Sequence, residues 1–303
     1  MNKIKNILNP NWVTGFVDGE GCFTVKICES DSRKIGWRVE ASFQINLHVR
    51  DKSLLLQIKS FFGDIGNIYT INNKMVLYQV SKLNEITQII IPHFQNYPLI
   101  TKKQSDFLLF KNIVELMNKG KHLKKDSLNE IISYRALLNK GLSDKLKTSF
   151  PNIIKMVKIK IDLPRDIDSN WIAGFISGEG CFKVGLRKAM DCKNGYNIWL
   201  AVTIIQHSRD KILMNNIVDT LKCGTVYKHS KNAVVLTVSK FEDINNKLIP
   251  LFNKHKIEGV KALDFGDFKK VAELINKKAH LTFEGLKLIQ EIKSRMNNNR
   301  KHI

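Results

Sequence analysis

Apolar and polar residues alternate along two stretches of the chain, residues 22–28 and 38–47, with apolar side chains at every second position. This period of two predicts β-strands with one buried and one wet face. The preceding residues Trp12, Val13, Phe16 and Val17 follow helical spacing instead. Asn11 is expected to cap the start of this helix, and Gly21 is expected to end it in a left-handed conformation.

The downstream pattern completes one folding unit. A helix is predicted from about Lys52 to Phe62, followed by strands at 67–70 and 75–81 and then by further helices. The order helix, two strands, helix, two strands, helices predicts an α+β fold with an antiparallel sheet. Helices cover one face of such a sheet, and the other face meets water or a ligand.

The whole unit occurs twice. Asn11–Phe23 returns as Asn170–Phe182, an offset of 159 (170 minus 11), with nine of thirteen positions identical. Asn170 and Gly180 repeat the predicted helix cap and helix end, and the register continues to the end of each half at offsets of 159 and 158. The period is too long for a solenoid repeat and indicates a duplicated domain with pseudo-two-fold symmetry. The predicted units are 1–141 and 170–303, joined by a linker at 142–169 that contains Pro151 and Pro164.

Glycines four residues apart leave one strip of each repeated helix without side chains: Gly15 and Gly19 in the first copy, Gly174 and Gly178 in the second. Glycine inside a helix costs about 1 kcal/mol against alanine, which indicates close approach of another backbone. The other copy of the helix is the expected partner, and packing against its own sheet is the alternative.

A glutamate ends each of these helices. Glu20 and Glu179 lie where the helix macrodipole disfavours a carboxylate, so a compensating cation is expected. An oxygen-ligand site for Mg²⁺ is the simplest candidate, and two solvated surface glutamates are the alternative.

The net charge of +21 is spread along the chain and favours a polyanionic partner, nucleic acid before membrane. A generally basic proteome is the competing explanation. No apolar run approaches a membrane span, and residues 1–11 lack the apolar core of a secretory signal, so an intracellular protein is expected. The five cysteines form no C-x-x-C pair, which argues against structural zinc and a disulfide framework. Frequent Asn, Lys and Ile are typical of A/T-rich organelle genes.

The two copies of W-[VI]-[TA]-G-F-[VI]-[DS]-G-E-G-C-F resemble the LAGLIDADG motif, and the layout is similar to that of single-chain LAGLIDADG homing endonucleases. The resemblance covers almost the entire chain. It implies two pseudo-symmetric αββαββα units with saddle-shaped sheets that lie in successive stretches of the DNA major groove. It also implies a monomer without an obligatory protein partner, and a mitochondrial, intron-encoded origin.

The resemblance further implies which residues act. Glu20 and Glu179 would bind the catalytic metal, Mg²⁺ or another divalent cation such as Mn²⁺ or Ca²⁺, and the backbone carbonyls of Gly19 and Gly178 could add ligands. Lys82 and Lys240, each in a V-S-K sequence, resemble the basic residues that polarise water or steady the phosphate. Gln206 resembles a polar active-site residue, but its counterpart is Leu47, so the two sites are expected to differ.

Base recognition is assigned to the wet strand faces, because Arg and Lys suit guanine, Gln and Asn suit adenine, and Glu suits cytosine. Two such faces would read on the order of 20 base pairs, with staggered cuts and short 3′ overhangs as in the family. The predicted DNA-contacting residues are Thr24, Lys26, Arg38, Glu40, Ser42, Gln44 and Asn46 in the first half, and Lys183, Arg187, Asn197, Trp199, Thr203 and Tyr227 in the second.

Two other functions remain open from the sequence. An intron RNA-splicing maturase of the same fold would stimulate splicing, with or without DNA cleavage. A regulator that has lost catalysis would bind double-stranded DNA tightly and with strong salt dependence, and would yield no product in Mg²⁺.

Overall fold

The computed structural model describes residues 8–154, 156, 161–191 and 194–300 and divides into two compact units. The first unit comprises Met1–Pro10 with Glu20–Leu163, and the second comprises Asn11–Gly19 with Pro164–Ile303. The predicted boundaries differ from this division, because they keep the whole first motif helix in the N-terminal unit. Most of that helix packs instead with the second unit.

The first unit follows the predicted order of elements. Its β-strands and α-helices, together with the helix that leads into it, are α1 (Pro10–Glu20), β1 (Gly21–Glu29), β2 (Trp37–His48), α2 (Lys52–Phe61), β3 (Asn67–Ile71), β4 (Met75–Val80), α3 (Leu83–Glu85), α4 (Ile91–Asn96), α5 (Lys103–Asn118), α6 (Lys125–Arg135) and α7 (Asp144–Ser149). A π-helical turn at Ile86–Ile90 joins α3 to α4.

The second unit repeats this order, with a π-helical turn at Ile244–Leu248 in the equivalent place. Its elements are α8 (Ser169–Glu179), β5 (Gly180–Lys188), β6 (Tyr196–His207), α9 (Lys211–Leu221), β7 (Thr225–Ser230), β8 (Ala233–Val238), α10 (Phe241–Asp243), α11 (Ile249–Lys254), α12 (Lys261–Asn276) and α13 (Phe283–Ser294).

Each unit contains one four-stranded antiparallel sheet. The strand orders are β1-β2-β4-β3 and β5-β6-β8-β7, so the topology of the first sheet is repeated in the second. The α+β architecture predicted from the alternation is confirmed, since Phe23, Val25 and Ile27 are buried and Lys26 between them is exposed. One face of each sheet is therefore covered by the core, and the opposite face is open.

Phenylalanine side chains fill the space between each sheet and its helices. The ring of Phe23 lies 5.3–5.4 Å from the rings of Phe43, Phe94, Phe107 and Phe110, measured between centroids. In the second unit, Phe182 lies 5.2 and 5.3 Å from Phe265 and Phe268. Burial of such rings stabilises each unit by about 2–3 kcal/mol per side chain. This clustering fixes β1 and β5, the strands that follow the motif helices, against α5 and α12.

The predicted helix boundaries need correction at both ends. Asn11 lies inside α1, which starts at Pro10, and Asn170 lies inside α8. The cap of α8 is Asp168, whose carboxylate accepts hydrogen bonds from the backbone N–H groups of Asn170 and Trp171. The cap is thus an aspartate two positions before the repeated asparagine.

The expected left-handed ends are also wrong. Gly21 and Gly180 are the first residues of β1 and β5, and Gly180 has an extended conformation with φ −74°. Each motif helix therefore passes directly into a strand.

The predicted linker is partly folded onto the first unit. Its segment Asp144–Ser149 forms α7, with Leu146 buried, and the ring of Phe150 lies 5.2 Å from that of Trp37 at the tip of the first hairpin. Cys22, Cys28, Cys181 and Cys223 are free thiols, whereas Cys192 lies outside the described residues.

Candidate active site and nucleic-acid interface

The two motif helices touch through their glycines, and this contact lies within the second unit. A Cβ atom added to Gly15 would lie 2.0 Å from the carbonyl oxygen of Trp171, and one added to Gly174 would lie 2.0 Å from that of Trp12. Both distances are far below van der Waals contact, so only glycine allows this backbone approach. The predicted packing of the two glycine-lined helices is confirmed.

The second glycine of α1 makes room for a glutamate. A Cβ atom on Gly19 would lie 3.0 Å from Cγ of Glu179 and 3.8 Å from its Oε1. Glu179 and Glu20 end their helices and are both half-buried. The Glu179 carboxylate therefore lies against a glycine backbone, at the helix end where the macrodipole favours a nearby cation.

The tryptophans of the motif helices are anchored differently in the two copies. Trp171 Nε1 donates a hydrogen bond of 2.8 Å to Oδ2 of the buried Asp18, whereas Trp12 Nε1 donates to the carbonyl oxygen of Lys256. The counterpart of Asp18 is Ser177, whose hydroxyl accepts from the backbone N–H of Glu258. A buried carboxylate requires such a donor, since an unpaired one costs several kcal/mol.

A lysine that the sequence analysis missed lies at the end of α8. Lys261, the first residue of α12, donates through Nζ to the carbonyl oxygen of Gly178. Its counterpart is Lys103, the first residue of α5, whose charge acts on the Cys22 thiol just after Glu20. The shared K-x-x-D-F at 103–107 and 261–265 carried this signal in the sequence.

The thiols beside these lysines are not activated. Burial raises the pKa of Cys22, although Lys103 opposes the shift, and burial likewise raises the pKa of Cys181 against Lys183 and Lys261. Neutral thiols are weak nucleophiles. The chemistry that these surroundings favour is therefore electrostatic, from the lysines and carboxylates.

The basic residues predicted from the sequence follow strands of the two sheets. Lys82 and Lys240 are exposed at the ends of β4 and β8, where Lys82 forms an ion pair of 3.1 Å with Glu85. Gln206 is half-buried on the face of β6 that carries Val202 and Ile204, which is the covered face. The active-site roles of these three residues stay predictions that no contact in the structure supports.

An asparagine clamps the strand that follows each motif helix. Asn139, with φ 52°, donates through its amide to the carbonyl oxygen of Phe23, and Asn297, with φ 56°, donates to that of Phe182. The positive φ favours asparagine over most residues other than glycine. Each clamp fixes the backbone three residues after a catalytic candidate, Glu20 or Glu179.

The open face of the first sheet forms a groove of about 690 Å³ lined by charged and amide side chains. Lys26 and Glu40 lie opposite each other on neighbouring strands, and Glu40 forms an ion pair with Arg38. Gln44 donates a hydrogen bond of 3.0 Å to Ser42. Ser42 is only 6% exposed beneath its neighbours, whereas Lys26 and Asn46 are exposed.

The same face of the second sheet is built differently. Where the first sheet has Lys26 and Glu40, the second has Gly185 and Trp199, and a Cβ on Gly185 would lie 2.0 Å from Cε2 of the indole. Trp199 and Tyr227 are 43% and 51% exposed. Lys183, Arg187 and Asn197 are exposed as predicted, whereas Thr203 is only 6% exposed.

Two absences hold for the part of the chain that the structure describes. Its residues include no group of three or more His, Cys, Asp or Glu side chains that could together hold a metal ion. Likewise, none of its helices combines the length and the apolar character of a membrane-spanning segment.

Comparison with known proteins gives the family. The model of the LAGLIDADG endonuclease family matches residues 13–114 and 172–272. The chain is 42% identical over 299 residues to the probable intron-encoded endonuclease 2 of Neurospora crassa, covering 95% of this chain and 65% of that protein. It is 23% identical to the uncharacterized mitochondrial protein RF1 of Saccharomyces cerevisiae, covering 99% of this chain and 62% of that protein. The chain thus spans about two thirds of the length of these relatives.

Solved structures agree with this assignment. The LAGLIDADG homing endonuclease I-SmaMI bound to cleaved DNA matches with a TM-score of 0.95 and 40% identity, over 97% of this chain and 98% of that chain. The same enzyme has been crystallised on uncleaved DNA in the presence of calcium ions. The homing endonuclease I-GzeII in complex with its DNA target matches with a TM-score of 0.91 and 44% identity, over 97% and 100% of the two chains.

A duplicated motif helix, two repeated antiparallel sheets and a family model matched twice define one class of protein. The chain belongs to the LAGLIDADG endonuclease family.

Proposed function

We propose that this protein is a site-specific DNA endonuclease that cuts both strands of a long target of about 20 base pairs. The two open sheet faces bind the major groove, and the residues at the ends of the motif helices hydrolyse one phosphodiester in each strand. Short 3′ overhangs result, as in the family that the sequence resembles. I-SmaMI and I-GzeII, which share the fold at 40% and 44% identity, bind DNA targets.

The observation that carries this proposal is the contact of the two motif helices at Gly15 and Gly174, each helix ending in a glutamate. A backbone approach this close leaves no space for any other residue at either glycine. It orients Glu179 against Gly19, the residue before Glu20. A surface glutamate without a function would not require two helices in close contact through glycines.

The residues fit a divalent metal of the hard type. Glu179 offers a half-exposed carboxylate and Gly178 a carbonyl oxygen, and Glu20 and Gly19 offer the same pair of groups. Mg²⁺ is commonly held by one or two carboxylates with water and substrate phosphates completing its shell, so a cluster of three protein ligands is not required. When bound, Mg²⁺ lowers the pKa of a water molecule and neutralises charge on the phosphate. We propose Mg²⁺ as the physiological ion, with Mn²⁺ or Ca²⁺ as possible occupants.

Two lysines of the chain itself, Lys261 and Lys103, act on the DNA phosphates. Lys261 donates a hydrogen bond to the Gly178 carbonyl oxygen, which is also a candidate ligand of the metal. When DNA is bound, a nearby phosphate offers the Lys261 ammonium group a second, anionic acceptor that competes with this carbonyl. In that position Lys261 orients the phosphate and stabilises its developing negative charge. Lys103, the counterpart of Lys261 at the start of α5, performs the same role in the first unit. Both groups stand on the first turn of a helix that packs on the sheet, which limits their movement.

The direct test is cleavage of plasmid DNA. A library of plasmids with randomised inserts is incubated with the purified protein and Mg²⁺, and linearised molecules are recovered and sequenced. We expect one family of related targets, and no product when EDTA removes the metal. Binding of a specific site without cleavage in any divalent metal would contradict the enzyme, and stimulation of intron splicing without cleavage would indicate a maturase.

Substitution of the glutamates separates catalysis from binding. Glu179→Gln and Glu20→Gln should each lower double-strand cleavage by at least about a hundredfold, because a neutral amide is a poor ligand for a hard cation. DNA affinity should stay within about tenfold, since the sheet faces are unchanged. Glu284→Gln, an exposed glutamate of α13, is the matched control.

The two candidate pairs of lysines can be distinguished in the same assay. Lys261→Met and Lys103→Met should lower the cleavage rate at saturating DNA, because Lys261 binds the end of α8 and Lys103 is its counterpart in the first unit. Lys240→Met and Lys82→Met should change it much less. The opposite order would favour the roles predicted from the V-S-K sequences.

We further propose that the protein acts in mitochondria. The relative from Saccharomyces cerevisiae is named as a mitochondrial protein, and the Neurospora relative is named as intron-encoded. The composition, rich in Asn, Lys and Ile, is consistent with an A/T-rich organelle gene. Immunoblotting of purified mitochondria and cytosol would test this assignment.

A further inference from the structure

Two cross-strand rows occupy equivalent places on the open faces of the two sheets and differ in chemistry. The carboxamide row consists of Gln44, Gln79 and Asn67, which are neighbours on β2, β4 and β3. The threonine row consists of Thr203, Thr237 and Thr225, which are neighbours on β6, β8 and β7. Each row continues to the cysteine that stands two residues after a motif glutamate, Cys22 or Cys181.

The exposed members of each row can reach a ligand. Gln44 and Gln79 line the groove of the first sheet, and Asn67 is exposed at its edge. Thr225 is exposed and Thr237 is half-buried, whereas Thr203 is covered by its neighbours. The rows therefore offer two or three primary amides on one sheet and two accessible threonine side chains on the other.

The next row extends the contrast. In the first sheet it contains Asn46, and in the second sheet its place is taken by Ile205, which is 42% exposed beside Val235. An exposed isoleucine next to threonines forms a surface of methyl groups. In the first sheet the corresponding place is taken by the primary amide of Asn46, beside the half-buried Leu77.

These surfaces suit different groups of the major groove. A primary amide forms two hydrogen bonds with adenine, donating to N7 and accepting from the N6 amino group. Threonine and isoleucine methyl groups instead make apolar contact with the C5-methyl group of thymine. Both surfaces therefore select A·T pairs, but each through a different base of the pair.

We propose that the first sheet recognises its half of the target through adenine N7 and N6, with the carboxamide row, and that the second sheet recognises its half through thymine methyl groups, with the threonine row and Ile205. This inference rests on the proposed function, in which both open faces bind the major groove. It assigns a separate base chemistry to each half-site.

Modified DNA tests the proposal group by group. A duplex selected from the randomised library is prepared with 7-deazaadenine in place of adenine, or with uracil in place of thymine, in one half-site at a time. Affinity is measured by fluorescence anisotropy. We expect 7-deazaadenine to weaken binding about tenfold in one half-site, where one hydrogen bond is lost per contact. Uracil should weaken binding about fourfold per contacted methyl group in the other half-site.

Variants then connect each half-site to its sheet. With Gln79→Leu, the effect of 7-deazaadenine should become smaller, because one of the amides that contact N7 is absent while Gln44 and Asn67 remain. With Thr237→Ser, which keeps the hydroxyl and removes the methyl group, the effect of uracil should likewise become smaller. Thr237→Val, which keeps a methyl group at that place, should retain the full sensitivity to uracil. Gln57→Leu on α2 and Thr148→Ser on α7, both exposed, are the matched controls.

The outcomes distinguish this inference from the proposed function. Equal sensitivity of both half-sites to both modifications would overturn the inference while site-specific cleavage stands. A smaller uracil effect in Thr237→Val but not in Thr237→Ser would overturn it too, because the methyl group of Thr237 would then not be the group that contacts thymine. Specific binding without cleavage would contradict the proposed endonuclease function, and the affinity measurements with modified DNA would still test the inference about base recognition. Binding without sequence preference would overturn both.

Discussion

The two copies of the repeat have the same residues at positions of close backbone contact, and different residues on the open sheet faces and in parts of the core. The agreement covers the close-contact glycines, the lysines that begin α5 and α12, and the asparagine clamps: Gly15 and Gly174, Lys103 and Lys261, Asn139 and Asn297. The difference covers the carboxamide and threonine rows on the open faces. Where an added Cβ atom would lie only 2.0 Å from another backbone, glycine is the one residue type that fits. An open sheet face accepts many residue types.

The cores under α5 and α12 differ as well. Asp267 and Arg295 form a bidentate pair, and Arg300 bridges Asp267 and Asp264. At the positions 158 residues earlier, the first unit has leucines in place of three of these residues: Leu109, Leu137 and Leu142. The same place in the fold is thus apolar in one copy and ionic in the other.

Removing one charge from the ionic cluster should give the largest change in stability. Burial alone would raise the pKa of Asp267, but hydrogen bonds from Arg295 and Arg300 outweigh it and lower this pKa to about 2. Arg300→Ala leaves Asp264 and Asp267 with fewer partners in a buried site, so we expect a loss of about 3–5 kcal/mol in the free energy of unfolding. Urea denaturation followed by circular dichroism would measure it.

A triple replacement sharpens the test. Asp267→Leu, Arg295→Leu and Arg300→Leu together copy the first unit, which also has an aspartate, Asp106, at the position of Asp264. Replacement of a buried ion cluster by apolar residues is often neutral or stabilising. We therefore expect the triple variant to be more stable than Arg300→Ala alone. A triple variant as unstable as the single one would show that the two cores are not interchangeable.

The shared helix contact should respond alike from either side. Gly15→Ala and Gly174→Ala each place a methyl group 2.0 Å from a tryptophan carbonyl oxygen, so the helices must shift apart. Overpacking of this kind costs about 1–3 kcal/mol. Cleavage should fall at the same time, because the shift moves Glu179 relative to Gly19. Thermal denaturation and the plasmid assay would measure the two effects.

Gly266 supplies the control for those substitutions. It lies inside α12 with no atom within 4 Å of an added Cβ. Gly266→Ala should therefore stabilise the protein by up to about 1 kcal/mol through helix propensity. A similar loss in all three variants would mean that the close contact has no special cost.

Features that depend on residues close together in the sequence could be predicted, whereas contacts between distant residues could not. The alternation at 22–28 and the glycine spacing in the motif helices are local patterns, and they predicted the sheets and the helix contact. The repeat alone does not locate the cap of α8, because Asp168, two residues before the repeated Asn170, accepts the hydrogen bonds. Ser42 was predicted to be exposed by period alone, but Thr24 and Gln44 cover it.

The site was predicted in part. The motif itself indicated Glu20 and Glu179. Lys261 reaches the Gly178 carbonyl across 83 residues of sequence, through the packing of α12 on the sheet, so the shared K-x-x-D-F shows that the lysine is repeated but not what it contacts. The sequence resemblance led instead to Lys82 and Lys240, which share a V-S-K sequence but lie exposed at strand ends.

One further difference between the units concerns a histidine. His93 lies among aromatic rings of the first unit, with centroids 5.3, 5.2 and 4.7 Å from those of Phe61, Phe62 and Phe94. Burial in this cluster lowers the pKa of His93 to about 4. The counterpart in the second unit is Leu251, which does not titrate. Acid sensitivity should therefore differ between the two units.

A dependence of stability on pH follows from the sign of this shift. The folded pKa of about 4 lies below the ordinary value of 6.5, so the unfolded chain binds the proton more readily. The stability from neutral His93 is fully present above pH 6.5 and is lost as the pH falls towards 4. Between pH 7 and pH 5 we expect a loss of about 1–2 kcal/mol. His93→Leu, which copies Leu251, should remove this pH dependence whatever its effect at pH 7. Hydrogen exchange at the two pH values, followed separately in α4 and α11, would detect it, and equal acid sensitivity of both helices in the unmodified protein would rule His93 out as its source.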